Sequence, residues 1–255
     1  VPQGAPCWVT LLAPHLEAAR HFYGELLGWH YRPGSQGLGP YEVALSEGVP
    51  VAGLGEARDS LRAFAAWTAY FAADSVDVVA GRVRERGATV AVGPVRFGAG
   101  RVAWAADPAG AVFGIWEGAA TPGWRVGGRV NGPAWLELMT RDAFAAALFY
   151  GEVFGWDLAD PDRYDIRYEH DRVILRIDKE TVAGLSGGAV EDAPDPRIRP
   201  HWHVHFRVED VEASAAKAAS LGAEVVSPPA ESPTGRLAVI RDPQGALFSI
   251  ESAGA

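Results

Sequence analysis

The chain has 255 residues, 48% of them apolar, a formal net charge of −9 and a single cysteine, Cys7. That length fits one or two domains, and the lone thiol excludes an internal disulfide framework and a thiolate-rich metal site. The acidic balance, with no Lys/Arg cluster interleaved with aromatics, argues against a nucleic-acid partner.

No apolar run reaches the roughly 20 residues needed to cross a bilayer. The opening Val1-Pro2-Gln3-Gly4 lacks the features of a signal peptide. A cytoplasmic protein with no membrane partner is therefore expected.

In chain order, Trp8 to Leu12 reads as a short apolar strand. Pro14 to Leu27 reads as a helix, because Leu16, Ala19, Phe22, Tyr23, Leu26 and Leu27 fall on one face and Gly28 ends it. Tyr41 to Leu45 and Val49 to Leu54 read as strands. Ala66 to Ala72 opens a second unit as a strand, followed by a helix over Val76 to Arg86 closed by Gly87. Strands are predicted at Thr89 to Val92, Arg101 to Ala105 and Ala111 to Trp116. Between the last two, Asp107-Pro108-Ala109-Gly110 has the residue order of a tight turn. Residues Glu117 to Pro133 are glycine-rich and aperiodic, and read as a linker that Trp124 pins down.

The second half repeats the first. Trp135 to Trp156 (WLELMTRDAFAAALFYGEVFGW) matches Trp8 to Trp29 (WVTLLAPHLEAARHFYGELLGW) without a gap. Val51-Ala52-Gly53-Leu54 returns as Val182-Ala183-Gly184-Leu185, and the Asp107-Pro108 turn returns at Asp242-Pro243. Such self-similarity marks a tandem duplication. It predicts a first domain over 1–118, a linker over 119–133 and a second domain over 134–255. A proline-rich loop, Ala189 to Pro200, interrupts the second copy. The predicted class is α+β: four βαβββ modules in curved mixed sheets, with helices on the outer face.

The FY-G-LGW helix end, the V-A-G-L strand and the DP-x-G-A-x-F hairpin resemble those of the vicinal oxygen chelate superfamily. That superfamily holds glyoxalase I, extradiol dioxygenases and bleomycin-type drug-binding proteins. The resemblance covers the chain from about Trp8 to Glu251. It implies up to four metal-ligand positions per copy, drawn from the first and last strands of each module. The amino-terminal copy places Trp8, the Val51 to Leu54 segment, Thr68 and Gly114 there. The carboxy-terminal copy places Trp135, the Val182 to Leu185 segment, His203 and Ser249 there. Only His203 is a metal-binding type, so no metal is expected at the usual positions.

The stretch His201-Trp202-His203-Val204-His205 puts its three histidines on one face of a strand. Glu137 shares the face of Trp135, and Glu251 that of Ser249. Glu137, His203, His205 and Glu251 are therefore the catalytic candidates, as acid–base groups. An alternative is one divalent metal (iron, zinc or nickel) at a displaced site of His203, His205 and Glu251, since imidazole suits all three ions. Otherwise these residues are polar cavity lining.

Trp8, Thr68, Trp116, Trp135 and Ser249 are the ligand-binding candidates. Trp67 and Trp202 should fill the core, and Trp29 and Trp156 should seal the helix ends. Aromatic walls favour a flat, apolar ligand. The expected function is binding of a small aromatic or polyketide-like molecule in a cup, for resistance by sequestration or for metal-independent tailoring. The alternatives are a metal-dependent lyase or oxygenase and a protein–protein interaction module. A monomer is expected, because two fused copies supply what a dimer of single copies would.

Overall fold

The computed structural model describes residues 1–57, 65–127, 129–156, 162–193, 195–232 and 235–253. Gly128 of the expected linker, Pro194 of the proline-rich loop and residues 254–255 of the expected second domain lie outside them.

The first copy runs β1 (Pro6–Ala13), α1 (Leu16–Leu27), β2 (His30–Pro33), β3 (Tyr41–Ser46), β4 (Val49–Glu56), β5 (Ala66–Ala72), α2 (Val76–Glu85), β6 (Thr89–Phe97), β7 (Gly100–Ala106) and β8 (Val112–Glu117). The second runs β9 (Pro133–Met139), α3 (Ala143–Phe154), β10 (Tyr164–Glu169), β11 (Arg172–Ile177), β12 (Glu180–Ser186), β13 (His201–Arg207), α4 (Val211–Ser220), β14 (Glu224–Ser232), β15 (Gly235–Arg241) and β16 (Leu247–Ala253). This is four βαβββ modules, as the repeat implied. Each copy forms one eight-stranded sheet, ordered β2-β3-β4-β1-β5-β8-β7-β6 and β10-β11-β12-β9-β13-β16-β15-β14. Within every module the first strand runs parallel to the last, and the remaining pairs are antiparallel hairpins.

Three helices start on a side-chain cap. Ser75 Oγ accepts from Val78 N, Asp142 Oδ1 from Ala145 N and Asp210 Oδ1 from Ala213 N. These acceptors satisfy amide groups that a helix start leaves unpaired. The first helix begins two residues later than the sequence predicts. His15 is its extended N-cap and has no side-chain cap of its own. Gln244 supplies the acceptor instead, taking the His15 amide at 2.8 Å. Gly28 and Gly155 end α1 and α3 in the left-handed region, at φ 66° and 75°. The sequence does not predict strand β2, because its largely exposed HYRP stretch carries no apolar alternation.

The chain folds as two compact units, and each draws one module from each sequence copy. The first unit holds Val1–Cys7, Ala69–Ala120 and Leu136–Trp202; the second holds Trp8–Thr68, Thr121–Trp135 and His203–Ala255. In the first, Phe71, Phe113, Tyr150, Phe154, Trp156 and Trp202 form an aromatic core. In the second, Tyr23, Trp29, Trp67, Phe206 and Phe248 do the same. Burying each such ring contributes about 1.5–3 kcal/mol.

Each core contains the same polar device. Tyr150 donates its hydroxyl to Asp107 Oδ2 at 3.0 Å and accepts Trp202 Nε1 at 3.0 Å. Tyr23 donates to Asp242 Oδ2 at 2.9 Å and accepts Trp67 Nε1 at 3.0 Å. The other carboxylate oxygen of each aspartate takes two backbone amides of its own turn, at Ala109 and Ala111 or at Gln244 and Ala246. The tight-turn reading thus holds, and the turn also anchors a helix from the other copy. Trp67 and Trp202 lie in the cores as expected. Trp29 and Trp156 seal the helix ends through bonds from Nε1 to Asn131 O and Gly4 O.

Candidate functional site

Side chains alternate across a strand, and the second sheet shows it cleanly. Leu136, Leu138, Val173, Leu175, Val204, Phe206, Phe248 and Ile250 are buried on one face. Trp135, Glu137, Arg172, Ile174, Arg207, Leu237 and Val239 alternate with them and stay partly open. The polar candidates belong to this second face.

In the second unit, β13 and β16 run parallel with His205 opposite Ser249 and Arg207 opposite Glu251. His203 Nε2 is 2.8 Å from Ser249 Oγ. His205 Nδ1 is 3.2 Å from Glu251 Oε2, and Arg207 Nη2 is 3.8 Å from Glu251 Oε1. The two imidazoles meet edge to face, 5.1 Å between centroids. His203, His205, Ser249 and Glu251 are all buried. The structure therefore gathers these four predicted residues into one cluster. Glu251 thus sets a carboxylate beside the Nδ1 side of the His205 ring. His201 bonds instead to Arg199 O at 2.7 Å.

Glu137 belongs to the first unit. Its Oε1 accepts from Arg172 Nη2 at 3.1 Å and from the Ser186 hydroxyl. Glu137 stands opposite Gly184, and Arg172 opposite Ser186, which brings the three side chains to one spot on β9, β11 and β12. Trp135 is half-buried on the same strand as Glu137.

The corresponding positions of the first copy hold neutral side chains. Thr10 stands opposite Gly53. Tyr41 lies over that glycine: a Cβ at Gly53 would fall 1.8 Å from the Tyr41 hydroxyl oxygen. This hydroxyl accepts Trp8 Nε1 at 2.8 Å and pairs with Thr10 Oγ1 at 3.2 Å. Burial raises the Tyr41 pKa against the opposing effect of its hydrogen bonds, so it stays neutral. Trp8 also packs on Trp124, at 5.9 Å between ring centroids.

Tyr70 stands opposite Gly114, and a Cβ there would lie 2.1 Å from the Tyr70 ring. Its hydroxyl accepts Trp104 Nε1 at 2.9 Å. Thr68 is buried, and Trp116 turns its Nε1 to Ala119 O at 3.2 Å. Cys7 is buried as expected, and burial pushes its thiol up to about 12, which removes it as a nucleophile.

The metal-ligand positions implied by the resemblance thus carry indole, hydroxyl and glycine groups, with His203 as the one imidazole. Indole and glycine side chains offer no donor to a metal. Among the described residues no group of three or more His, Cys, Asp or Glu side chains is placed to hold an ion. In the His203, His205 and Glu251 set, His205 and Glu251 face each other and His203 faces a serine. The residues present do not fit the family's metal centre.

Sequence reasoning missed Tyr41, Tyr70, Trp104, Arg172, Ser186 and Arg207. Strand alternation signals Tyr70 and Arg207, each two residues from a chosen position, Thr68 and His205. Tyr41 and Arg172 are equivalent members of adjacent strands, visible only once the register is known.

Two pockets, of about 330 and 240 Å³, open in the second unit. The larger is lined by Trp124 and residues around the start of β4, and the smaller lies at the start of α4.

A family model described as a glyoxalase-like domain matches residues 135–251. The mycobacterial protein CFP32, provisionally called a glyoxylase, from Mycobacterium tuberculosis is 36% identical over 97% of this chain and 94% of its own length. The anthracycline biosynthesis protein DnrV of Streptomyces peucetius is 35% identical over 97% of this chain and 92% of its own. Among solved structures, the Mn(II)-bound glyoxalase of Novosphingobium aromaticivorans superposes with a TM-score of 0.63 at 16% identity, over 98% of this chain and 82% of that one. The 2,2',3-trihydroxybiphenyl 1,2-dioxygenase of Sphingomonas wittichii superposes at 0.60 and 14% identity, over 99% and 91%. These structural likenesses establish the fold alone.

Proposed function

Because this chain belongs to the glyoxalase-like family of the vicinal oxygen chelate superfamily, we propose that it binds a small polycyclic aromatic molecule through the open face of its second sheet. There it tailors or retains the molecule without a metal centre. The observation that carries this reading is the buried His205–Glu251 pair, with Nδ1 and Oε2 3.2 Å apart beside the His203–Ser249 pair. A carboxylate-oriented imidazole is a general base suited to taking a proton next to a ketone. The Arg207 guanidinium would offset the negative charge that develops on the ligand's oxygen. The name of DnrV, which places that protein in anthracycline biosynthesis, supports a fused-ring ligand with ketone and phenol groups. Trp135, half-buried on the same sheet face, offers a flat wall for such rings.

Titration of a neutral probe, 1,8-dihydroxyanthraquinone, against tryptophan fluorescence tests the reading. Saturable quenching is expected, weakened at least tenfold in His205→Gln. Binding that His205→Gln leaves intact, or absence of binding, would overturn it.

A further inference from the structure

We propose that the larger pocket of the second unit is a separate ligand site for a planar aromatic anion, such as an aromatic carboxylate. The pocket holds about 330 Å³, within the range that encloses small ligands. Pro50, Val51 and Pro133 make its apolar lining, Trp124 its aromatic wall, and Arg125 and Arg129 its charged rim.

The wall is fixed from two sides. Trp124 Nε1 donates to Val51 O at 2.8 Å, and its ring rests on Trp8. The Arg129 stem passes close to Gly132. A Cβ on Gly132 would lie 3.0 Å from Arg129 Cγ and 3.4 Å from Val51 Cγ1, so the missing side chain is what lets the arginine stem lie close. Arg125 is exposed and Arg129 half-buried, and among the described residues neither has a carboxylate or carbonyl partner.

That last point separates this pair from most arginines of the chain. The net charge is −9, and Arg20, Arg86, Arg101, Arg141, Arg163, Arg172 and Arg236 all have an acidic partner. Two unpaired guanidinium groups beside a fixed indole match a ligand with a ring for the indole and a carboxylate for the fork. A ring in this pocket would lie against Trp124, and Trp124 rests on Trp8. Occupancy would therefore be felt at the Trp8–Tyr41 hydrogen bond on the face of β1 and β3.

The test is calorimetric titration of the full chain with 2-naphthoate, using 2-naphthylmethanol as the uncharged control. The expected result is one binding event for the acid that weakens at least tenfold in the Arg125→Ala/Arg129→Ala double variant. The alcohol should bind at least tenfold more weakly than the acid, and His205→Gln should leave acid binding unchanged. Both arginines reach solvent, so the double variant should melt within about 1 °C of the parent, since surface changes cost little. Acid binding that survives the double variant would overturn the site, as would loss of acid binding in His205→Gln alone. No heat up to several millimolar acid would also overturn it. Because the probe, the residues and the control differ from those used for the second sheet, the two readings fail separately.

Discussion

The two sequence copies agree in their cores and disagree on their open faces. The Tyr–Asp–Trp device recurs with nearly the same distances, 2.9 and 3.0 Å at Tyr23 and 3.0 and 3.0 Å at Tyr150. On the open faces, each neutral pair of the first copy has a charged or imidazole counterpart in the second. Thr10 with Tyr41 becomes Glu137 with Arg172. Tyr70 opposite Gly114 becomes His205 opposite Ser249, and Ala72 opposite Trp116 becomes Arg207 opposite Glu251. The backbone register is shared, so these differences are choices of side chain and not of fold. Burying a charge or an imidazole adds a desolvation cost that a tyrosine over a glycine avoids. The proposed binding uses the costly groups of the second sheet, while their counterparts in the first pack against one another.

The comparison breaks most visibly at the shared device. Asp107→Ala leaves two amides and the Tyr150 hydroxyl without acceptors, and unmet buried donors cost about 1–3 kcal/mol each. A loss of at least about 3 kcal/mol is expected, or roughly 6–12 °C in thermal melts. Asp242→Ala should match it. A large inequality would show that the two cores are not equivalent.

A smaller effect is expected from importing a second-copy residue into the first. Gly114→Ser places a Cβ against the Tyr70 ring, and overpacking of this kind costs about 1–3 kcal/mol. Removing the ring with Tyr70→Ala should recover much of that cost in a double-mutant cycle. Full additivity would contradict the close approach.

The Glu137–Arg172 pair is partly exposed, so Arg172→Ala should cost under about 1 kcal/mol in denaturant titrations. A cost above about 2 kcal/mol would show the pair to be structural instead.

The smallest effect is on pH. Burial raises the carboxyls of Asp107 and Asp242 above their ordinary value, against their hydrogen bonds, which pull the other way. The folded state then holds these protons more tightly than the unfolded chain does. Their contribution to stability is full below 3.8 and declines as pH rises through the raised values. Stability curves of Asp107→Asn should be flatter than the parent's in that interval. An unchanged slope would remove Asp107 as its source.

Much of the fold was legible in the sequence because a duplication repeats its own signals. The shared FYGE helix end, the two Asp-Pro turns and the alternation of β9 and β13 each mark an element without reference to structure. The pairing of Tyr23 with Asp242 and of Tyr150 with Asp107 was not legible. Residues some 219 and 43 positions apart meet there, and nothing local records which copy supplies the partner. The histidine strand stood out in the sequence, and the structure does bring His203, His205, Ser249 and Glu251 together. Glu137 instead has Arg172 and Ser186 as partners, because strand register decides which side chains face one another. Alternation along one strand gives only the face.

If the second sheet carries the proposed binding and its counterpart in the first does not, matched substitutions on the two faces should differ in effect. Calorimetric affinity for 1,8-dihydroxyanthraquinone should be compared in two matched variants, His205→Gln/Glu251→Gln and Tyr70→Phe/Trp116→Phe. At least a tenfold loss is expected in the first pair and less than a twofold change in the second. Equal losses, or a larger loss in the second pair, would contradict the proposed binding.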